Sequence, residues 1–122
     1  MIILVAEDEL IMLKTIEFRL RKDGHTVVTA QDGMDALKKL GDLQPDLIIT
    51  DIMMPFSSGL ELISAVKKAS KKIPIIVLSA MGQESAVLEA FQLGADDYIT
   101  KPFSLNELSV RVNRHAPRLS KV

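Results

Sequence analysis

Pro45-Asp46-Leu47-Ile48-Ile49-Thr50-Asp51-Ile52-Met53-Met54-Pro55 is an apolar, β-branched run that ends in a carboxylate and meets a proline four residues later. Leu47 to Thr50 has the length and branching of a fully buried strand rather than of a helix. A buried strand is a rigid rod, so Asp51 is an acid held at one place on the rim of a sheet. Aspartates at strand ends often do no more than bond the amides of a turn. Whether Asp51 is such a cap depends on what the rest of the chain brings to the same rim.

Similar runs lie on either side. Ile2 to Ala6 stops at Glu7-Asp8-Glu9, and Thr26 to Ala30 stops at Gln31-Asp32-Gly33. Asp46 to Thr50 is the third strand, Pro74 to Ser79 the fourth and Asp97 to Thr100 a short fifth. Between them, apolar residues return at helical spacing from Leu10 to Asp23, Met34 to Leu40, Gly59 to Lys68 and Glu84 to Leu93, with Gly24, Gly41 and Gly94 as stops. Ser104 caps a last helix running to about His115, with Glu107 as its capping-box partner. Five strands alternating with five helices over short connections specify an α/β domain whose parallel sheet is covered on both faces. Residues 1–116 are expected to form this one domain. Residues 117–122 are read as a basic C-terminal tail or the start of a linker.

Bulk properties narrow the function classes. At 122 residues, 48% apolar and 25% charged, the chain has the composition of one ordinary globular domain. A net charge of -1 gives no long-range attraction to nucleic acid or anionic membrane, and no basic helix is present to read DNA. The lack of cysteine excludes disulfides and thiolate metal sites and fits a reducing compartment. The first residues carry no basic leader, and no stretch has the length to span a bilayer, so the expected location is cytoplasmic with no membrane partner. His25 and His115 read as surface residues rather than catalytic bases.

Ligands of parallel α/β sheets bind outside the carboxyl ends of the strands. There the first strand delivers Glu7 and Asp8, the third Asp51, the fourth Ser79 and the fifth Lys101. Carboxylates gathered at one edge repel each other and call for a cation. A hard divalent ion with oxygen ligands fits, and Mg²⁺ fits best because it needs few protein carboxylates and keeps several waters. Lys101 adds a compact mobile charge and Ser79 a neutral hydroxyl. An acid, a cation site, a lysine and a hydroxyl are what phosphoryl transfer to a carboxylate requires, with Asp51 as the nucleophile. No glycine-rich loop follows the first strand, which argues against nucleotide binding of the Rossmann or P-loop kind. A Mg²⁺-dependent phosphatase or phosphotransferase is the alternative enzyme reading. It lacks a second acid two residues after Asp51 and an evident substrate loop.

At this point the chain resembles a response-regulator receiver domain, the CheY-like phosphoacceptor module of two-component signalling. The motifs that carry the resemblance are Ile3-Leu4-Val5-Ala6-Glu7-Asp8-Glu9, Asp46 through Pro55, Ile75-Ile76-Val77-Leu78-Ser79-Ala80 and Gly94-Ala95-Asp96-Asp97-Tyr98-Ile99-Thr100-Lys101-Pro102-Phe103. The resemblance implies a flavodoxin-like sheet in strand order 2-1-3-4-5. It implies that Asp51 accepts a phosphoryl group from a sensor histidine kinase, a phosphotransfer protein or acetyl phosphate, making the chain a self-modifying switch rather than an enzyme. Mg²⁺ would be held by Glu7, Asp8, Asp51 and the backbone carbonyl of Met53, with Asp8 and Asp51 the more direct ligands. Ser79 and Tyr98 match the switch residues, and Lys101-Pro102 matches a lysine followed by a cis-proline. A pseudo-receiver, an interaction module without the chemistry, is the other alternative, and the intact Asp8, Asp51, Ser79 and Lys101 set speaks against it.

The resemblance also has departures. Glu7 stands where aspartate is commoner, and its extra methylene favours a water-bridged role. Ser57-Ser58 stand where an apolar residue and an aspartate are usual. Met53 and Met81 occupy variable positions beside the phosphorylation pocket. Ile11, Met12 and Thr15 on the first helix form the expected kinase-docking patch. Asp97 and Arg111 match one charge pair of a homodimer through the last helix and strand, although Val87 and Leu93 replace the charged partners of two further pairs.

Overall fold

Strands β1 (Ile2–Ala6), β2 (Thr26–Ala30), β3 (Leu47–Asp51), β4 (Ile75–Ser79) and β5 (Asp97–Thr100) alternate with helices α1 (Leu10–Lys22), α2 (Gly33–Asp42), α3 (Gly59–Lys68), α4 (Glu84–Leu93) and α5 (Leu105–Arg114). The computed structural model describes residues 1–54, 58–69 and 72–115. Its strands form one parallel sheet in the order β2-β1-β3-β4-β5, the flavodoxin-like α/β architecture.

Every residue of β3 and β4 is buried, because these strands lie inside the sheet with helices on both faces. Alternate residues feed two separate cores. Leu4, Ala6, Ile48 and Val77 pack with Ala36, Leu62, Val66 and Ala90 of α2, α3 and α4. Ile3, Val5, Ile49 and Leu78 pack with Leu13, Ile16, Leu108 and Val112 of α1 and α5. Each fully buried Leu or Ile contributes about 1.5–3 kcal/mol. This two-sided packing is what makes the carboxyl edge of the sheet a fixed platform.

Local signals set most boundaries. Gly24 and Gly94 have positive φ beyond the ends of α1 and α4, as helix stops require. Gly41 is not a stop: α2 continues to Asp42 and is capped by Leu43. A side chain at Gly41 would meet nothing within 4 Å, so the glycine is tolerated on an open helix face. Ser104 Oγ accepts the Glu107 amide at 3.0 Å. The Glu107 carboxylate turns to Arg111 at 3.4 Å, leaving the capping box half made. Asp46 precedes β3 rather than opening it, and its Oδ2 accepts the Ile2 amide at 2.7 Å.

The surface assignment of the histidines needs correction. His25 is half-buried, and its Nε2 is enclosed without a hydrogen-bond partner. His115 is also half-buried, with Nε2 3.3 Å from Asp97 Oδ2. His25 immediately precedes β2, and His115 lies beside Pro45 and Pro74, just ahead of β3 and β4. Both therefore sit at the amino edge of the sheet, opposite Asp51.

A polar seam joins α1 to α5. Ser109 Oγ donates to Asp23 Oδ2 at 2.6 Å, and Arg19 donates to Asn106 Oδ1 at 2.9 Å. The Ser109 hydroxyl, opposed by partial burial and helped by the Arg19 guanidinium, holds Asp23 below the ordinary carboxylate range. A carboxylate depressed on folding contributes stability above its unfolded pKa and loses it as pH falls through the folded one. Ser109→Ala is therefore expected to lower stability at neutral pH by about 1 kcal/mol. Denaturant titrations should show that gap shrinking as acid protonates Asp23.

Candidate functional site

The acids are placed by sheet pairing. Ala6 pairs with Ala30 and Thr50, and the Glu7 amide extends the ladder by donating to the Ala30 carbonyl at 3.0 Å. That register carries the Glu7 side chain inward, where it is fully buried, while Asp8 faces solvent. Asp51 ends β3 at 7% exposure, beside Leu78 of β4. One carboxylate oxygen from each of Glu7, Asp8 and Asp51 lies within 4.8 Å of the others. Ligands on opposite sides of an octahedral Mg²⁺ stand about 4.2 Å apart, so the cluster has the size for a small hard cation with water in its shell.

Lys101 reaches the same place from the end of β5. Its amide donates to the Ser79 carbonyl at 2.7 Å, and the Lys101–Pro102 bond is cis, as the resemblance implies. Nζ donates to Asp51 Oδ2 at 2.9 Å and stands 2.7 Å from Glu7 Oε1. The latter contact is a buried ion pair that neutralises Glu7 Oε1. Glu7 Oε2 accepts the Glu9 amide at 3.0 Å. Burial pushes the Glu7 carboxyl up, and the Lys101 ammonium and Glu9 amide offset only part of this. Burial alone would lower Lys101, but Glu7 and Asp51 outweigh it and hold the ammonium above its ordinary range. Three clustered carboxylates, one of them fully buried, sharing a single ammonium suit a divalent cation.

Ser79, at the end of β4, is buried, and Tyr98, on the edge strand β5, is 41% exposed. Both line a cavity of about 460 Å³ together with Met81, Val87 and Phe91. The Tyr98 ring stands edge-on to Phe91, with centroids 5.9 Å apart at 89°. Met53 and Met81 project into solvent at 57% and 84% exposure. Ile11 is exposed on α1, whereas Met12 packs partly against the core. Pro55 and Ser57 lie outside the described residues; Ser58 caps α3 by accepting the Glu61 amide at 3.4 Å. Asp97 and Arg111 pair within the chain at 2.6 Å, and Arg111 also donates to the Tyr98 carbonyl at 2.9 Å.

Two supporting residues were missed in the sequence. Glu9 caps α1, its carboxylate accepting the Ile11 and Met12 amides at 3.1 and 2.8 Å. The signal was an acid directly before a helical apolar pattern. Gly59 opens α3 against the backbone of Asp51: a Cβ there would overlap the Asp51 carbonyl oxygen. A glycine in the first turn of a helix was the available hint.

A family model for the response regulator receiver domain matches residues 3–113. The chain is a member of the response regulator receiver family. The receiver is 40% identical over 110 residues to the alkaline phosphatase synthesis transcriptional regulatory protein PhoP of Bacillus subtilis, covering 90% of this chain and 46% of that protein. It thus spans less than half the length of that relative. The solved Francisella response regulator 1452 receiver domain superposes with a TM-score of 0.86 at 35% identity, covering 93% of this chain and 94% of the other. The chemotaxis response regulator CheY4 of Vibrio cholerae superposes at 0.87 and 30% identity, over 94% of this chain and 98% of the other. Receivers are phosphoacceptor modules of two-component systems that partner histidine kinases. No helix among the described residues is long and apolar enough to cross a membrane.

The close approach at Gly59 yields a direct test. Gly59→Ala should destabilise the receiver by about 1–3 kcal/mol through overpacking against β3, read as a lower urea midpoint.

Proposed function

We propose that residues 1–116 act in the cytoplasm as a phosphorylation switch, with 117–122 as a tail or the start of a linker. Residues from 116 on lie outside the described ones. Asp51 would accept a phosphoryl group from a sensor histidine kinase, a phosphotransfer protein or acetyl phosphate. The observation that carries this reading is the Lys101 ammonium 2.9 Å from Asp51 Oδ2, beside the three-acid cluster, in a chain of this family.

In the reaction an Asp51 carboxylate oxygen attacks phosphorus. The new P–O bond forms as the P–N bond of the donor phosphohistidine breaks, and the imidazole nitrogen leaves with the electron pair. Mg²⁺, held by Asp8, Asp51, the Met53 carbonyl and more distantly Glu7, would supply neutralising charge at the phosphoryl oxygens. Lys101 needs only a small displacement from Asp51 to follow one of those oxygens. Ser79 Oγ would donate to another. Its movement towards the phosphoryl group would open space for the Tyr98 ring in the cavity the two residues share, changing the α4–β5 surface. A dimer through α5 and β5 would have to exchange the internal Asp97–Arg111 contact for one between copies.

Incubation with Mg²⁺ and acetyl phosphate should add one phosphate by intact mass, as an acid-stable, base-labile adduct. Asp51→Ala should lose it. An adduct that persists in this variant, or none on the wild type, overturns the proposal.

Met53 and Met81 are exposed, and folded over a phosphoryl group on Asp51 their apolar side chains would hinder an in-line water. Replacing them together, as Met53→Asn with Met81→Lys, should shorten the phosphoryl lifetime about tenfold, a change of about 1.4 kcal/mol in the barrier. An unchanged lifetime would show that they do not shield the bond.

A further inference from the structure

β2 stands at one edge of the sheet, with β1 as its only neighbouring strand among the described residues. The Thr26 amide donates to the Met1 carbonyl and the Ala30 carbonyl accepts the Glu7 amide, so residues 26, 28 and 30 turn towards β1. Alternate residues of a strand turn the other way, which aims the amides and carbonyls of Val27 and Thr29 out of the sheet. Open backbone groups of this kind are a template for another strand.

Both outward carbonyls are occupied by cations. Arg21, in the last turn of α1, donates from Nη2 to the Val27 carbonyl at 2.9 Å, and Lys39 of α2 donates from Nζ to the Thr29 carbonyl. Each cation is held from behind by an acid one helical turn earlier. Glu17 stands 3.0 Å from Arg21, and Asp35 stands 3.1 Å from Lys39. α1 packs on one face of the sheet and α2 on the other, so the two donors close on the edge from opposite sides.

A second β2 fits the same groups. Antiparallel pairing about a two-fold axis at Val28 would set Val27 of one copy opposite Thr29 of the other. Both residues face outward, so each such pair would exchange two N–H···O bonds. The partner's amide nitrogens would then stand about 2.9 Å from the carbonyl oxygens, the place that the Arg21 and Lys39 nitrogens now hold. Every bond of that ribbon needs a carbonyl that is already taken.

We propose that Arg21 and Lys39 are latches that keep the β2 edge closed to the β2 of a second copy of this chain. They act twice over, by filling the acceptors and by setting like charges of two copies face to face. Pairing of two receivers is thereby confined to other surfaces. The inference concerns association alone and does not depend on the phosphoacceptor reading.

Sedimentation equilibrium on the whole chain tests this. Arg21→Ala with Lys39→Ala frees the Val27 and Thr29 carbonyls and should self-associate about tenfold more tightly than the wild type. Adding Thr29→Pro removes an outward amide and should return association to the wild-type level. Amide exchange reads the location: the Val27 and Thr29 amides should become protected as the double variant is concentrated. Arg21→Met with Lys39→Met keeps the apolar stems without the donors, and carries the same expectation if the alanine pair folds poorly. Wild-type association in both double variants overturns the latch. So does association that survives Thr29→Pro, or that leaves the Val27 and Thr29 amides unprotected.

Discussion

Two carboxylates and one ammonium enclosed at the edge of a hydrophobic sheet set the terms for everything else in this receiver. Glu7 and Asp51 are buried by the same parallel pairing that makes β1 and β3 rigid. Buried carboxylates need opposite charge or donors close by. Lys101 supplies the charge from the far side of the sheet, and the Glu9 amide supplies a donor from the first turn. If Lys101 leaves without a replacement, both acids keep their burial and lose their partner. Under the proposed function, chemistry at Asp51 would proceed by exchanging one positive group for another.

The fold was largely legible because its signals are local. Apolar runs marked the strands, helical spacing marked the first four helices and a capping serine marked the fifth. The errors arose where a local signal has two outcomes. A glycine stops a helix only if its backbone turns left-handed, and Gly41 keeps helical geometry. A histidine is polar at its nitrogens and apolar in its ring, so composition could not reveal that His25 and His115 would both sink into the amino edge.

The site was legible as a set of residues, and much less so as a set of contacts. Carboxylates at strand ends, with a lysine and a serine at neighbouring ends, are visible once the strands are known. That the Glu7 carboxylate would bond the Glu9 amide and face Lys101 depends on side-chain reach across the sheet. So does the bond from Arg111 to the Tyr98 carbonyl. Spacing along the chain carries no record of such distances, and only the assembled sheet supplies them.

Gly59 has a mechanical consequence. Its amide is bonded to the Ile52 carbonyl at 2.8 Å, and its missing side chain lets the first turn of α3 rest on the Asp51 backbone. The acid, β3 and the start of α3 are thereby joined as one body, with no slack between them. In the proposed switch, displacement at the edge would be taken up at β5, which is short and has a neighbour on one side only. Glycine at this position acts like a weld, and under the proposed switch it would set a stator apart from a moving part.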